Sequence, residues 1–397
     1  MRIGMILDKT FPPDPRVENE ALTLIESGHE VFLFCLTYHS ENRFETYKGI
    51  QVRRFHSNKL TYKLSALAYE IPCYSILLKP KIKKFIETNQ IEVIHIHDMR
   101  IAGTVFSLTK KYNLPIVLDL HDNFPEVMKD YPHLQKFPGK YLIKPKKWFS
   151  KEQEFIEKAT RVITVSQEFV SSLKMRLPQG TNKVVLVPNS VRKSFYTATT
   201  IDDTICTRFK NDFVLLYIGD TGLRRGLQTA IEAIAIIKQT IKNIKLVIVG
   251  NSSTDPILHS LVKKLKLEKQ VIFEGWQNEK LFPSYIKSAN IGISPLIRSK
   301  QHDVAYANKL FQYMALGLPL LVSDAIAQKN LVEKNQTGMV HEELNPTNFA
   351  KKVLHMFTDD AMTKLFAENA KQFIEKKFHW ELTSKKLVEM YTELEQK

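Results

Sequence analysis

The sequence predicts an α/β protein of two doubly wound units, each a largely parallel sheet with helices on both faces. Three observations carry this expectation. Short apolar runs alternate with longer segments of helical period from one end of the chain to the other, which is the pattern of βαβ units. The 397 residues exceed what one domain of roughly 100–200 residues needs, so two cores fit. A polar stretch, Thr197–Asp212 (TATTIDDTICTRFKND), separates two series of apolar runs and reads as the linker. Sheets of this kind bind ligands at the carboxyl ends of their strands, and two such units in series make the cleft between them the expected site.

In the first series the expected strands are Arg2–Leu7, Glu30–Cys35, Val52–Phe55, Val93–His97, Ile116–Leu120, Val162–Val165 and Val184–Val187. In the second they are Phe213–Tyr217, Lys245–Val249, Val271–Phe273, Ile291–Ser294 and Leu320–Ser323. Helices fill most gaps, among them Arg16–Ser27, Gln167–Leu177, Leu227–Thr240 and Phe282–Ser288. No internal repeat of short fixed period interrupts the series.

Composition narrows the class. With 44% hydrophobic and 25% charged residues the chain is neither disordered nor fibrous. Three distant cysteines (Cys35, Cys73, Cys206) exclude a disulfide scaffold and a cysteine zinc site, and fit a reducing compartment. No signal-peptide pattern opens the chain, and no uncharged run approaches the ~18–20 residues of a membrane span, so a cytoplasmic chain is expected. The net charge of +15 is uneven: residues 51–200 carry 25 Lys and Arg against 12 Asp and Glu, the rest 32 against 30. Such a field attracts nucleic acid, anionic lipid or a phosphorylated substrate.

Two segments look built for an anion. In HDVAYANKLFQYMALGLPLLVSD, Asn308 is placed to cap a helix Lys309–Leu316 closed by Gly317, and a helix start gathers free N–H groups and positive dipole. Lys309 in that first turn opposes the dipole and makes sense beside an anionic ligand; a solvated lysine at an ordinary cap is the alternative. In GDTGLRRGLQTAIEA, Arg224 and Arg225 stand at a strand-to-helix turn, suited to a phosphate or simply exposed. Both segments in one α/β unit favour a diphosphate.

The ordered segments YIGDTGLRRG, LVIVGNSS, VIFEGW, ANIGISPL and NKLFQYMALGLPLLVSD resemble the donor domain of GT-B glycosyltransferases, with retaining glycosyltransferase family 4 the nearest match. PPDPRVENEALTLIESGHEV, IHIHD, LDLHDNFPE, VSQEF and VPNSV resemble that family's acceptor-side domain, and FHWELTSKKLVEMYTEL its returning terminal helix. The resemblance implies two Rossmann-like domains facing a cleft, spanning 1–200 and 201–376, with 377–397 crossing back. It implies transfer of a sugar, with retention and without a metal or other cofactor, from a nucleotide-diphosphate sugar (UDP- or GDP-linked) to a saccharide or lipid-linked acceptor in cell-surface polysaccharide or glycolipid synthesis. Carried over by position, Arg225 and Lys309 meet the diphosphate and His121 lies near the transferred sugar. Gly219, Arg224, Gly250, Gly275, Trp276, Asp303, Asn308, Leu310 and Gln312 are donor-side residues. Phe11, Arg16, His97 and Asp122 are acceptor-side, with Gly4 beneath the first loop.

Departures from the family pattern are specific. Its two glutamates, separated by seven residues, fall on Val304 and Gln312, with Asp303 a candidate substitute for the first. Asp220 replaces an arginine, prolines replace the glycine-rich first loop, and Asn189-Ser190 replaces Asn-Gly. A GT-B sugar-nucleotide epimerase and a non-catalytic nucleotide-sugar binder therefore remain alternatives. His95, His97, Asp98, His121 and Asp122 offer metal-type ligands, yet neither H-E-x-x-H nor D-x-D spacing occurs, and no metal is expected. Lys79–Lys84 (KPKIKK) and Lys140–Lys151 (KYLIKPKKWFSK, with Trp148 and Phe149) suit an anionic membrane surface better than nucleic acid once the resemblance is weighed, implying a peripheral position on its inner face.

Overall fold

A computed structural model describes every residue except 40–41, 131–133, 135–136, 138 and 397. The chain forms two compact units, Met1–Pro188 with Ser384–Lys397, and Asn189–Thr383. The boundary thus lies upstream of the polar stretch read as the linker.

The first unit holds eight strands: β1 Arg2–Ile6, β2 Glu30–Thr37, β3 Phe44–Tyr47, β4 Ile50–His56, β5 Val93–His97, β6 Ile116–Leu120, β7 Arg161–Thr164 and β8 Val184–Leu186. Their order in the sheet is β3-β4-β2-β1-β5-β6-β7-β8. All pairs are parallel except β3 with β4. Strands β5 and β6 are buried at every position, the signature of a sheet covered on both faces. The helix Lys385–Glu395 belongs to this unit and buries Leu387, Met390, Tyr391 and Leu394, one helical stripe. Each such apolar side chain contributes about 1.5–3 kcal/mol when fully buried.

The second unit has strands β9 Phe213–Ile218, β10 Ile244–Val249, β11 Val271–Gly275, β12 Ile291–Ser294, β13 Leu320–Ser323 and β14 Gly338–His341. They are ordered β11-β10-β9-β12-β13-β14, and every pair is parallel. Alternate residues of β9 supply opposite cores: Leu215 and Tyr217 one face, Val214, Leu216 and Ile218 the other. The strand order reverses between β9 and β12, so the loops leaving those two strands flank the crevice where ligands bind in such sheets.

Two strands escaped the sequence reading. β3 is an exposed edge strand (FETY) without apolar alternation, joined to β4 by Lys48-Gly49, both at positive φ as a two-residue hairpin turn requires. β14 is a four-residue edge strand. Trp148 also differs from expectation. The helix Pro145–Lys158 turns Trp148, Glu152, Phe155 and Ile156 inward, and Trp148 packs edge-on against Tyr69 and over Phe124, so it does not face solvent between the lysines.

Candidate active site

In the second unit the loop after β9 runs Gly219–Gly226 and enters the helix Leu227–Ile237, while the loop after β12 leads toward the helix Asn308–Ala315. The two loops are pressed together. Ile297 donates its amide to the Arg224 carbonyl at 3.1 Å, and a β-carbon on Gly226 would fall 1.8 Å from the Pro295 carbonyl oxygen. Gly250, ending β10, packs against the Gly219 carbonyl, where a β-carbon would lie 2.0 Å away; only glycine fits.

Lys309 reaches into this corner. Its Nζ lies 3.3 Å from the centroid of the Tyr217 ring and would stand 3.5 Å from a β-carbon on Gly219. The side chain is buried, and burial, followed by the nearby Arg225 charge, holds its pKa well below the ordinary lysine value. The one carboxylate acting in the other direction, Asp220, is engaged elsewhere: it accepts from Arg225 Nε at 3.2 Å and lies 3.7 Å from Arg224 Nη2. A ring face contributes about 0.5–2 kcal/mol to a cation, far less than burial of an unpaired charge costs. Neither the helix starting at Leu227 nor that starting at Asn308 carries a side-chain cap. Lys309, with no carboxylate of its own, and Arg225, paired with Asp220, thus stand at two helix starts that carry no side-chain cap.

The other donor-side residues fall into place unevenly. Asn308 is the first residue of its helix and exposed; Ala307 occupies the cap position, so the expected capping by Asn308 is absent. Leu310 points into the core and its amide donates to the Ala307 carbonyl. Gln312 is half-buried on the same helix. Asp303 is bound by Arg298 through two bonds, at 3.1 and 3.2 Å, and accepts the Ile326 amide at 3.0 Å, so the candidate substitute for Val304 is already occupied. Gly275 ends β11 at positive φ and accepts the Gly250 amide, and the Trp276 ring beside it is 72% exposed.

The first unit brings His121 together with Arg16, His97 and a carboxylate not singled out from sequence. Asp119, the fourth residue of β6, accepts from Arg16 Nη2 at 2.7 Å and Nε at 2.9 Å, and lies 2.6 Å from His121 Nε2. Arg16 also reaches Glu20 at 2.9 Å and donates to the Val187 carbonyl. Burial disfavours charge on His121, but Asp119 and then Asp98 raise its pKa to about 9, so the ring is protonated at neutral pH. Burial raises Asp119 too, yet Arg16 and His121 hold it well below the usual carboxylate range. His97 is buried against His95, and burial with that neighbour lowers it to about 3. Tyr391 of the terminal helix hydrogen-bonds His95 Nδ1 at 2.9 Å. Phe11, edge-on to Tyr47, is buried like Arg16 and His97, so these three side chains lie inside the unit, while Asp122, next to His121, is half-buried.

Glu20, His95, His97 and Asp119 present ligand atoms within 4.8 Å of one another, a set of donors that suits a divalent ion. The Arg16 guanidinium already forms ion pairs with both carboxylates, so a metal would have to displace a buried cation. A cavity of about 480 Å³ in the same unit, lined in part by Tyr69, Ile71, Arg100, Phe106, Lys151 and Phe155, carries charges that are paired, Lys151 with Glu154 and Arg100 with Asp8. Among the described residues no helix is long and apolar enough to cross a membrane.

Comparison with known proteins decides the family. The profile of Glycosyltransferase Family 4 matches residues 16–195, and that of Glycosyl transferases group 1 matches residues 202–373. The chain is a GT-B glycosyltransferase of this group 1, family 4 type. The enzyme is 22% identical to an uncharacterized glycosyltransferase of Methanocaldococcus jannaschii, over 98% of each chain. Among solved structures, this glycosyltransferase shares its fold with sucrose-phosphate synthase of Thermosynechococcus elongatus (TM-score 0.82, 17% identity, 99% of this chain and 98% of that one). Its fold is also that of Anabaena HepE in complex with UDP-glucose (TM-score 0.73, 15% identity, 99% and 100%). The GT-B resemblance read from the ordered motifs is thereby established.

Sequence reasoning passed over Asp220 as the counter-ion of both arginines, Tyr217 as the platform of Lys309, Asp119 and Glu20 as partners of Arg16, and His302. For Arg16 and Glu20 the signal was available: two opposite charges four apart on a helix whose first turn follows β1. For Asp119 a charge inside an otherwise apolar strand was the signal.

Proposed function

We propose that the enzyme transfers a sugar from a UDP- or GDP-linked donor to a saccharide or lipid-linked acceptor, with retention of configuration and without a metal. The observation that carries this reading is Lys309: its amine is buried over Tyr217 with Arg225 beside it and no carboxylate of its own, and a ligand anion placed there would favour the charged form that burial disfavours. The solved complex of HepE with UDP-glucose supports a nucleotide sugar as that ligand. As the anomeric C–O bond to the phosphate breaks, negative charge builds on the leaving diphosphate, and Lys309, Arg225 and the two helix starts stabilise it at the moment of greatest need. The acceptor oxygen forms the new bond on the same face and its proton passes to the diphosphate. His121, protonated and fixed by Asp119, serves as a cationic hydrogen-bond donor to the substrate. Trp276 offers an exposed ring for the base.

The exposed apolar residues Leu60, Tyr62, Ile76, Leu77, Tyr141 and Leu142 stand beside the lysines of 59–84 and 140–147 in the first unit. They support contact with an anionic membrane, at the inner face where a lipid-linked acceptor resides, in polysaccharide or glycolipid synthesis. Sedimentation with anionic vesicles at low salt but not high salt is the expected result; equal sedimentation with neutral vesicles would remove this part. The activity itself is tested by incubating the protein with UDP-, GDP- and dTDP-sugars, with and without acceptors. Transfer requires the acceptor, an epimerase yields product without one, and a binder raises the melting temperature without product. The same assay run with a chelator tests metal independence, and the anomeric configuration of the product tests retention.

A further inference from the structure

The loop after β12 holds a buried histidine whose hydrogen bonding is half finished. His302 is 3% exposed. Its backbone amide donates to Ser299 Oγ at 3.1 Å, and its Nδ1 lies 2.6 Å from the Ile297 carbonyl oxygen. A carbonyl can only accept, so Nδ1 carries the ring proton and Nε2 is left as a bare acceptor. That Nε2 is buried and has no partner in the protein. Burial, opposed by the Ile297 bond and reinforced by the charges of Arg225 and Arg224, lowers the ring to about 4, so protonation does not resolve the deficit at neutral pH.

A bare acceptor buried in a protein costs about 1–3 kcal/mol, so a partner from outside is favoured. Phosphate oxygens are acceptors and cannot provide one. The partner must be an O–H or N–H donor, and a ligand held at Arg224 and Arg225 is placed to bring one, since Ile297 joins this loop to Arg224 by a backbone bond. A nucleotide-diphosphate sugar offers such a group next to its phosphates: a hydroxyl of the sugar being transferred. Asp303, one residue on, is held by Arg298 and the Ile326 amide, and Val304 has no polar atom in its side chain, so neither neighbour competes with His302 for that hydroxyl.

We propose that His302 is a donor-sugar recognition residue, its Nε2 accepting a hydrogen bond from a hydroxyl of the transferred sugar. The inference rests on the nucleotide-sugar reading above and adds to it the contact that separates a sugar nucleotide from the bare nucleotide. Two substitutions divide the ring's roles. His302→Asn retains a donor near the Nδ1 position and removes the ε acceptor; His302→Gln retains an acceptor near the ε position.

Calorimetric titration of wild type and both variants with UDP, UDP-glucose, GDP and GDP-mannose provides the test, with melting temperatures recorded on the same samples. For the nucleotide that binds, His302→Asn is expected to weaken the sugar nucleotide about tenfold while leaving the bare diphosphate within about twofold, and His302→Gln to recover most of the loss. Equal weakening of both ligands would assign Nε2 to the ribose or base and overturn the proposal, as would wild-type affinity for both in His302→Asn or the absence of recovery in His302→Gln. Wild-type protein that binds none of the four would remove the donor reading, and this inference with it.

Discussion

Two buried groups of charge sit in the two units, and they are built on opposite plans. Beneath His121 the cations have anions: Arg16 and His121 share Asp119, Arg16 also meets Glu20, Asp98 adds to the field, and Tyr391 of the terminal helix holds His95. Around Lys309 the account is open: a buried amine faces a ring, the available carboxylate is engaged by two arginines, and both helix starts lack side-chain caps. A closed set of charges fixes geometry, whereas an open set waits for a ligand.

The contrast is most exposed at Lys309. Lys309→Met is expected to lower turnover by about 10²–10³-fold, and Arg225→Ala similarly, because each removes charge stabilisation of the leaving diphosphate. Yet Lys309→Met should melt at the same temperature as wild type or higher, since a buried amine without a carboxylate partner gives way to an apolar side chain of similar length. A large fall in melting temperature with it would show that Lys309 is structural after all. Asp119→Asn should do the reverse, lowering stability by about 3–5 kcal/mol in denaturant titration because Arg16 and His121 lose the carboxylate they share. An unchanged midpoint would break the comparison from the other side.

Dependence on pH sharpens it further. His121, raised to about 9 from an ordinary 6.5, stabilises the fold fully below its unfolded value, and the stabilisation is lost as pH climbs through 9. Lys309, held below its ordinary 10.5, acts oppositely: the unfolded chain binds the proton more tightly, so stability gains as pH rises toward 10.5. Subtracting the stability profile of His121→Asn from that of wild type should leave a falling curve over that range, and subtracting Lys309→Met a rising one. The smallest effect is expected at Asp220→Asn, which frees Arg224 and Arg225 and should tighten nucleotide-diphosphate binding by about two- to fivefold in a titration. Weaker binding would make Asp220 a ligand contact.

Much of this was legible beforehand. The apolar runs of β1, β2, β5, β6, β9, β10 and β12 are continuous because both sheet faces are covered, and continuity is easy to read. The motif order around Arg225 and Lys309 singled out two loops that the structure packs against each other, since loops at strand ends keep short, fixed spacing to their strands. What sequence did not show depends on contacts between distant residues. Tyr391 meets His95 across nearly the whole chain, and nothing in either neighbourhood announces the pair. Trp148 looked like an aromatic among lysines because adjacent residues on a helix face different ways, one inward and one out. β3 was missed because an edge strand need not alternate; its turn, Lys48-Gly49, was the better signal.

The central claim is that Lys309 lies buried in wait for a diphosphate. Titration of wild type and Lys309→Met with UDP and UMP, or GDP and GMP if the guanine pair is the one that binds, tests it most directly. The wild type should prefer the diphosphate by more than about tenfold, and the preference should all but vanish in the variant. Equal preference in both proteins would contradict the claim.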